Sequence, residues 1–429
     1  MRDVLGLILS GGGGERLGVL CAERAVSALP FGGKYRVIDF VLSNCCHSGI
    51  GRVGVLAQHA PASLNDHIGA GRPWDLDHRS GGIAILQPYQ TRSHAGWYRG
   101  TADAIAQNWG WIEEHRPDRV LVLSGDHIVR MDYRPMLAAH VDRQAAVTVA
   151  VTPVAALEAH RFGMVHVETD GRIRSIEEKP QRTDAALANM GIYLFETGRL
   201  AEMLRARPVD LVLDVLRPQV AAGHRVFAHE FGGYWEDVGT VASYYRANLE
   251  LVRPDPRLML HDARWPILTR DEERPPVWLG EDAAVEDSLV ANGCRIEGRV
   301  TRSILFPGVH VGPGAAVEES VIMADTGIEA GARVTHSILD KYVKVGANAV
   351  VGEERAAGDG GAGGEDHGAA ELEWLAGLSL VGKDTWIPKG GRVRRPSAIG
   401  VGGRYEDFRE GVLDAGTVVP NRRWYEELR

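Results

Sequence analysis

Four consecutive glycines, Gly11–Gly14, run straight into Glu15 and Arg16, and an apolar run from Val4 to Leu9 leads up to them. Glycine lets backbone N–H groups come close to an anion, and the N-terminus of a following helix adds partial positive charge. The stretch reads as a phosphate cradle with Arg16 aimed into it, or as a flexible turn. It is not a Walker loop, because no Gly-Lys-Ser/Thr follows. Asp126 is the second chemical residue, in Ser124-Gly-Asp-His127 directly after the apolar Val120–Leu123. A carboxylate at the end of a buried strand is costly to desolvate unless it meets a cation or hydrogen-bond donors. A divalent metal carrying nucleotide phosphates would satisfy it, and so would capping an element that starts near Met131. Ile176-Glu-Glu-Lys-Pro180 and Tyr234-Trp-Glu-Asp-Val-Gly239 add further acids and a lysine. Taken alone, both also fit solvated turns.

Something must hold these residues together. Runs such as Val4–Leu9, Arg52–Gln58, Ile83–Leu86 and Val120–Leu123 read as buried strands. Helical spacing lies between them: Tyr35–Ser48, Ser63–Gly69 opened by a serine cap, and Thr101–His115 opened by a threonine. Strands alternating with helices predict a mostly parallel α/β sheet, whose ligands bind beyond the carboxyl ends of the strands. That edge would gather the glycine loop, Gln58, Gln87–Gln90 and Asp126. Further strands are expected at Ala146–Val151, Met164–Val167 and Ile192–Phe195, with a hairpin turn at Thr169–Arg172.

At 429 residues the chain has room for more than one domain. Its net charge of −9 argues against a nucleic-acid partner, so any phosphate site must be local. Cys21, Cys45, Cys46 and Cys294 form no CxxC pair, and free thiols in a reducing cytoplasm are expected. The N-terminal apolar run is too short for a signal peptide, and no stretch approaches the ~20 apolar residues of a membrane span.

After about residue 280 the pattern changes. Ser303-Ile-Leu, Ser320-Val-Ile and Ser337-Ile-Leu recur every 17 residues, following Ser288-Leu-Val, and aliphatic residues recur six apart between them. This is a hexapeptide repeat, expected to coil as a parallel β-helix with one aliphatic per short strand pointing inward. Gly352–Glu373, rich in Gly, Ala and acids, interrupts it and is expected to be an extruded loop. Hexads resume at Val381, Ile387, Val393 and Ile399.

Several stretches together resemble the ADP-glucose pyrophosphorylases (glucose-1-phosphate adenylyltransferases) of the bacterial glycogen-synthesising type, nearly end to end. They are Phe31-Gly-Gly-Lys-Tyr-Arg-Val-Ile-Asp-Phe40, Leu42-Ser-Asn44, Trp97-Tyr-Arg-Gly-Thr-Ala-Asp-Ala104, Gly125-Asp-His127, Glu178-Lys-Pro180, Met190-Gly-Ile-Tyr193 and Tyr234-Trp-Glu-Asp-Val-Gly-Thr240. The resemblance implies a Rossmann-like nucleotidyltransferase domain over 1–262, a linker over 263–280, and a left-handed β-helix over 281–429 with the 352–373 loop inserted. It implies ATP and glucose 1-phosphate as substrates, Mg²⁺ as cofactor and a cytoplasmic homotetramer. By position, Gly11, Gly12, Gly13, Gly14 and Arg16 would hold the triphosphate, with Gln58, Gln90, Gly100 and Thr101 near adenine and ribose. Tyr98, Gly163, Glu178, Lys179, Asn189, Asp210 and Asp237 match the sugar-phosphate site. Asp126 and Asp237 match the metal-holding acids, and Arg16, Asp126 and Lys179 the catalytic set.

The chain also departs from that pattern. Glu15 replaces a threonine, Asn189 a serine, and Val209-Asp210 a His-Asp pair. Val26 stands where a phosphate-steadying lysine is usual, with Lys34 a few residues on as a candidate substitute. Glu23 stands where some relatives carry a lysine for an anionic activator. Three readings follow: an active adenylyltransferase, a binding subunit with little turnover, and a hexapeptide-repeat acyltransferase using His310 or His336.

Overall fold

The computed structural model describes residues 3–78, 81–89, 96–354, 373–408 and 410–422. Among these, nine strands build the first sheet. They are β1 (Val4–Ser10), β2 (Arg52–Ala57), β3 (Gly82–Leu86), β4 (Arg119–Ser124), β6 (Val147–Pro153), β7 (Gly163–Val167), β8 (Ile173–Glu178), β9 (Leu187–Glu196) and β10 (Val226–Glu230). A separate two-stranded ribbon pairs β5 (His127–Val129) with β11 (Trp235–Asp237). The main order is β8-β7-β9-β4-β1-β2-β3, with β6 branching from β9 and β10 pairing with β6. Pairings across β4-β1-β2-β3 are parallel, and β9 runs antiparallel to β4, β6 and β7.

The apolar runs are continuous because both faces of this sheet are covered. Ile8, Val53, Val55, Leu121 and Leu123 pack on one face, and Leu5, Leu7, Leu56, Val120 and Val122 on the other. The Thr169–Arg172 turn joins β7 to β8 and relies on Gly171 at φ +83°.

Three helices differ from the expectation at their ends. The first starts at Val37, because Tyr35–Arg36 pairs with Pro30–Phe31 as a short hairpin. The second spans Ala62–Ile68 with Pro61 at its cap position, and the Ser63 hydroxyl accepts from Arg36 at 2.8 Å instead of capping. The expected Thr101–His115 helix is two helices, Thr101–Gln107 and Trp109–His115. Asn108 breaks it, donating to the Ala104 carbonyl at 2.8 Å and to the Tyr98 hydroxyl at 2.9 Å. The Thr101 hydroxyl is drawn away to accept the Leu211 N–H at 2.8 Å.

From Trp278 the chain forms three parallel sheets of short strands, the left-handed β-helix expected from the hexads. One coil advances from Val311 to Val317, Ile322 and then Ile328, so the period of 17 is two sixes and a five. Register stacks Val311 on Ile328 and Val345, Val317 on Val334 and Val351, and Ile322 on Leu339 and Val381. The repeated serines make one corner. Arg302, Glu319 and His336 each hold positive φ just before Ser303, Ser320 and Ser337. Each serine hydroxyl donates to a carbonyl two residues back, and the Ser303 and Ser320 hydroxyls accept the N–H of the next coil's serine at 3.1 and 3.2 Å. A buried corner thereby keeps its polar groups paired. Residues 352–354 end a strand, Val350–Glu354, and most of the expected 352–373 loop lies outside the described residues.

The two sheet systems share an apolar core. Leu17, Leu20, Val26, Phe31, Val241 and Tyr244 pack with Ile304, Phe306, Val321, Met323, Ile338 and Leu380 from the outer side of the β-helix. A buried ion pair, Arg24 to Asp340 at 2.9 Å, crosses the same contact. Lys341 lies beside it. Burial, with Arg36 and Arg24 nearby, holds the Lys341 ammonium pKa down to about 8. The unfolded chain therefore binds more protons than the folded one between about pH 8 and the ordinary lysine value of about 10.4, so stability rises with pH across that window. Lys341→Met is expected to raise Tm at pH 7 by roughly 2 °C or more. The gain should shrink toward pH 10.5, as thermal melts at several pH values would show. Among the described residues no helix is long and apolar enough to cross a membrane, and all four cysteines are free thiols.

Candidate active site

Parallel register brings three strand ends side by side. Ser10 pairs with Ala57, and Leu9 with Ser124, so Gly11, Gln58 and Gly125 emerge together at the carboxyl edge. The Gly125 N–H donates to the Leu9 carbonyl at 2.9 Å, and a Cβ there would stand 2.8 Å from that oxygen. Only glycine allows β4 to turn that close to β1 and present Asp126.

A cleft of about 390 Å³ opens above this edge. Of the expected residues it is lined by Gly11, Gly12, Gly13, Gln58, Tyr98, Gly100, Thr101 and Asp126. The Gln58 amide pairs with the Tyr98 backbone, accepting its N–H at 2.5 Å and donating to its carbonyl at 3.3 Å. Tyr98, expected beside the sugar, borders this cleft; its ring is buried and its hydroxyl accepts from Asn108. Gly100 is fixed by close approach, since a Cβ would meet the Val209 carbonyl oxygen at 2.6 Å. Gln90 lies outside the described residues.

Gly14 closes the loop at φ +69°, and a Cβ on it would meet Cys21 Sγ at 2.7 Å and Val26 Cγ2 at 2.9 Å. Beneath the loop, then, lie a buried thiol and a valine. Burial pushes the Cys21 thiol pKa up to about 12, so it stays protonated and inert there. The segment after the loop, Glu15–Cys21, is a 3₁₀ stretch kinked at Gly18, not a regular helix. Arg16 is exposed and reaches toward β11. A methyl on Gly239 would lie 3.0 Å from Arg16 Nη2 and 2.8 Å from Asp237 Oδ1, so that glycine leaves room for both groups.

Asp237 comes to this edge because β11 pairs antiparallel with β5, setting it opposite His127, the neighbour of Asp126. One Asp237 oxygen accepts the Gly239 N–H at 2.7 Å. Asp126 is half exposed and takes a hydrogen bond from the Ser124 hydroxyl. Asp126 does not cap the following helix, whose N-cap position is Tyr133; Asp132, just before it, accepts the Arg134 N–H at 2.9 Å.

A second cluster forms where β7, β8 and β9 meet. Glu178 pairs with Gly163 in register, and a Cβ on Gly163 would stand 3.2 Å from Glu178 Oε2 and 3.7 Å from Asn189 Cβ. Asn189 donates to the Tyr193 hydroxyl at 2.9 Å across a bulge in β9. Burial raises the Tyr193 pKa, with Asp210 and Glu178 adding to the rise from nearby. Asp210 caps the helical turn Leu211–Leu216, accepting the Val212 and Leu213 N–H groups at 2.8 and 2.7 Å. The segment that carries it is stitched to the first cluster, since the Ala102 N–H donates to the Val209 carbonyl at 2.9 Å. Lys179 holds φ +44°, and its half-exposed ammonium makes one loose contact with Glu178 at 3.7 Å.

The expectation for the charge of Lys34 changes. Lys34 does not replace the charge absent at Val26: it pairs with Asp271 at 3.2 Å, in a cavity bordered by Leu289 and Pro307 of the β-helix. Glu23 pairs with Lys383 of the β-helix at 3.1 Å. His310 and His336 lie on coil surfaces against Glu297 and Glu319, at 3.2 and 2.7 Å.

The sequence reading missed two further groups. His127 presents Nε2 3.5 Å from Asp126 Oδ1 and Nδ1 3.0 Å from the Met190 carbonyl oxygen, linking the acid to the bulge of β9. Tyr193 orients Asn189. Both stood in quoted motifs, and their adjacency to Asp126 and Asn189 was the available signal.

The nucleotidyl transferase family model matches residues 5–253, and the GlmU-like C-terminal hexapeptide model matches residues 278–361. Among curated relatives, the glucose-1-phosphate adenylyltransferase of Thermomicrobium roseum is 48% identical over 430 residues, covering 98% of each chain. The enzyme of that name from Fervidobacterium nodosum is 40% identical over 428 residues, again 98% of each chain. One from Clostridium perfringens is 45% identical over 334 residues, covering 76% of this chain and 86% of its own. With likeness of this extent running through both sheet systems, the chain belongs to the glucose-1-phosphate adenylyltransferase family of nucleotidyl transferases.

Proposed function

We propose that the protein transfers the adenylyl group of ATP to α-D-glucose 1-phosphate, forming ADP-glucose and pyrophosphate for glycogen synthesis in the cytoplasm. One observation carries the reading. A glycine loop with a free-standing arginine, two acids on neighbouring elements, and a polar cluster built on Asn189 and Glu178 share one edge of the sheet. Membership of the family supplies the substrates.

The sugar phosphate oxygen attacks the α-phosphorus in line, and the pyrophosphate oxygen leaves; no covalent bond to the protein is needed. Catalysis then rests on positioning and on charge aimed at the phosphates. The N–H groups of Gly11–Gly14 and the Arg16 guanidinium bind the triphosphate, Gln58 and Gly100–Thr101 the nucleoside, and Asn189, Glu178 and Asp210 the sugar. Lys179, held only loosely by Glu178, is available to the sugar phosphate. Asp126 and Asp237 offer hard oxygen donors, one half exposed, which suits Mg²⁺ and leaves coordination positions for phosphate and water. When bound, the ion neutralises negative charge on the triphosphate. A homotetramer, built through the β-helix, completes the proposal.

Purified protein given ATP, glucose 1-phosphate and Mg²⁺ is expected to release pyrophosphate with one ADP-glucose per turnover, read by a coupled assay and chromatography. A panel of nucleoside triphosphates should favour ATP. No release with any of them would overturn the proposal.

One observation favours a second reading, a subunit that binds both substrates but turns over slowly: Val26 is only 7% exposed and packs under Gly14 with no cation in its place. Val26→Lys separates the two. Under the proposed reading kcat changes by less than about tenfold. Tm falls, because the lysine forfeits apolar packing. A rise in kcat of about 10³-fold or more favours the slow subunit.

A further inference from the structure

The phosphate loop has a floor, and part of it comes from the β-helix. Gly18, two residues past Arg16, holds φ +53° and ψ −127°, a backbone conformation that L side chains rarely adopt. A Cβ at Gly18 would lie 2.6 Å from Cζ3 and 2.8 Å from Cη2 of Trp374. The indole edge therefore rests directly on the Gly18 backbone. Trp374 is half-buried, and the residues after it anchor it: Leu375 is fully buried and Leu378 nearly so, in the same apolar cluster as Leu17, Leu20, Cys21 and Val26. The loop is thus braced at two points. Gly14 sits on Cys21 and Val26, Gly18 sits on Trp374, and Arg16 stands between them.

We propose that Trp374 is a positioning residue for the triphosphate site, holding the kinked Glu15–Cys21 segment so that Arg16 stays beside Asp237 and Gly239. The inference rests on reading Gly11–Arg16 as that site. A 3₁₀ segment with a glycine at its middle has little stiffness of its own, and the indole supplies what the local sequence does not. Removing the ring lets the segment sink toward the β-helix and draws the guanidinium back from the phosphates. The sugar cluster, built on β7, β8 and β9, makes no use of this contact.

The test compares Trp374→Ala, Trp374→Phe and Leu378→Ala in the full-length protein. Leu378 belongs to the same anchor but is not among the atoms that meet Gly18, so its alanine variant reports general loss of packing. Trp374→Ala is expected to raise KM for ATP and lower kcat, each on the order of tenfold, with KM for glucose 1-phosphate within about twofold. Trp374→Phe should restore most of the loss, and Leu378→Ala should lower Tm with both kinetic constants within about twofold of the parent. The inference is overturned if Trp374→Ala shifts Tm alone, or if Leu378→Ala changes the ATP constants as Trp374→Ala does. Equilibrium dialysis of ATP against the same variants gives a ratio of dissociation constants that needs no turnover. A parent protein that binds ATP without making ADP-glucose counts against the proposed function, while an unchanged dissociation constant in Trp374→Ala counts against the role of Trp374.

Discussion

Asp126→Asn is expected to lower kcat for ADP-glucose synthesis by about 10³-fold while leaving the folded structure intact. The backbone at this position is fixed independently of the carboxylate, through the Gly125 N–H bonded to the Leu9 carbonyl at 2.9 Å. Asparagine keeps the shape and can still accept from the Ser124 hydroxyl, so what disappears is one negative charge. That carboxylate is half exposed at the mouth of the cleft, and among the described residues it pairs with no lysine or arginine, its basic neighbour being the His127 imidazole at 3.5 Å, which suits a group whose partner arrives with the nucleotide. The half-saturating Mg²⁺ concentration should rise in parallel. Asp237→Asn should act on the same quantity, since strand register sets Asp237 opposite His127. If both acids serve one cation, as proposed, the double variant should then cost less than the product of the two single effects. Steady-state kinetics over a Mg²⁺ series decides the matter; a kcat within tenfold of the parent at every concentration would remove Asp126 from the mechanism.

Arg16→Ala should be comparably severe, with kcat down about 10³-fold and KM for ATP raised. Among the described residues Arg16 has no ion-pair partner in the protein, although it stands near Asp237 at a glycine that makes room for both. A guanidinium kept unpaired and exposed beside a glycine loop contributes little to stability, so its loss should barely move Tm. Arg16→Lys should recover only part of the rate, because a point charge cannot reproduce a fork of donors on two phosphate oxygens. Gly239→Ala supplies an independent check. Its methyl group would press on Arg16 Nη2 and Asp237 Oδ1 together, and a loss of rate without change at either charged residue would tie catalysis to their spacing. Circular dichroism and kcat, measured on all three variants, distinguish this from general unfolding.

Where one element decides its own structure, the sequence was readable. Val4–Ser10, Arg52–Ala57 and Arg119–Ser124 are largely apolar runs because both faces of the sheet are covered, and the glycines after the first and the last of them, Gly11 and Gly125, mark where the chain must turn. The β-helix was legible for a similar reason: each coil repeats one solution, down to the serine that closes its corner. What could not be read depends on neighbours distant in the chain. Asn108 splits a helix because Tyr98 offers it a hydroxyl. Thr101 gives up a capping role because Leu211 arrives with an unpaired N–H. Lys34 turns to Asp271 and the β-helix, a direction that distance along the chain from Val26 does not reveal. Residues 17–31 carry no clean period since their apolar groups face a partner surface that is itself the outside of another repeat. In the site, the glycine loop, Gln58 and Asp126 followed from parallel strand order alone. Assembly of Asn189, Tyr193 and Glu178 required knowing that β9 reverses direction and bulges.

The shared core has a thermodynamic consequence. Leu17, Phe31, Val241 and Tyr244 share one buried cluster with Ile304, Phe306, Val321 and Met323, and the buried Arg24 pairs with Asp340 across the same contact. Parting the two sheet systems would uncover a continuous apolar surface and strand one charge on each side. The halves are therefore coupled in a single equilibrium, and heat should be taken up in one calorimetric peak with matching van't Hoff and calorimetric enthalpies. A chain cut before Trp278 would keep every residue of the candidate site yet lose the surface that makes the ground beneath its glycine loop solid.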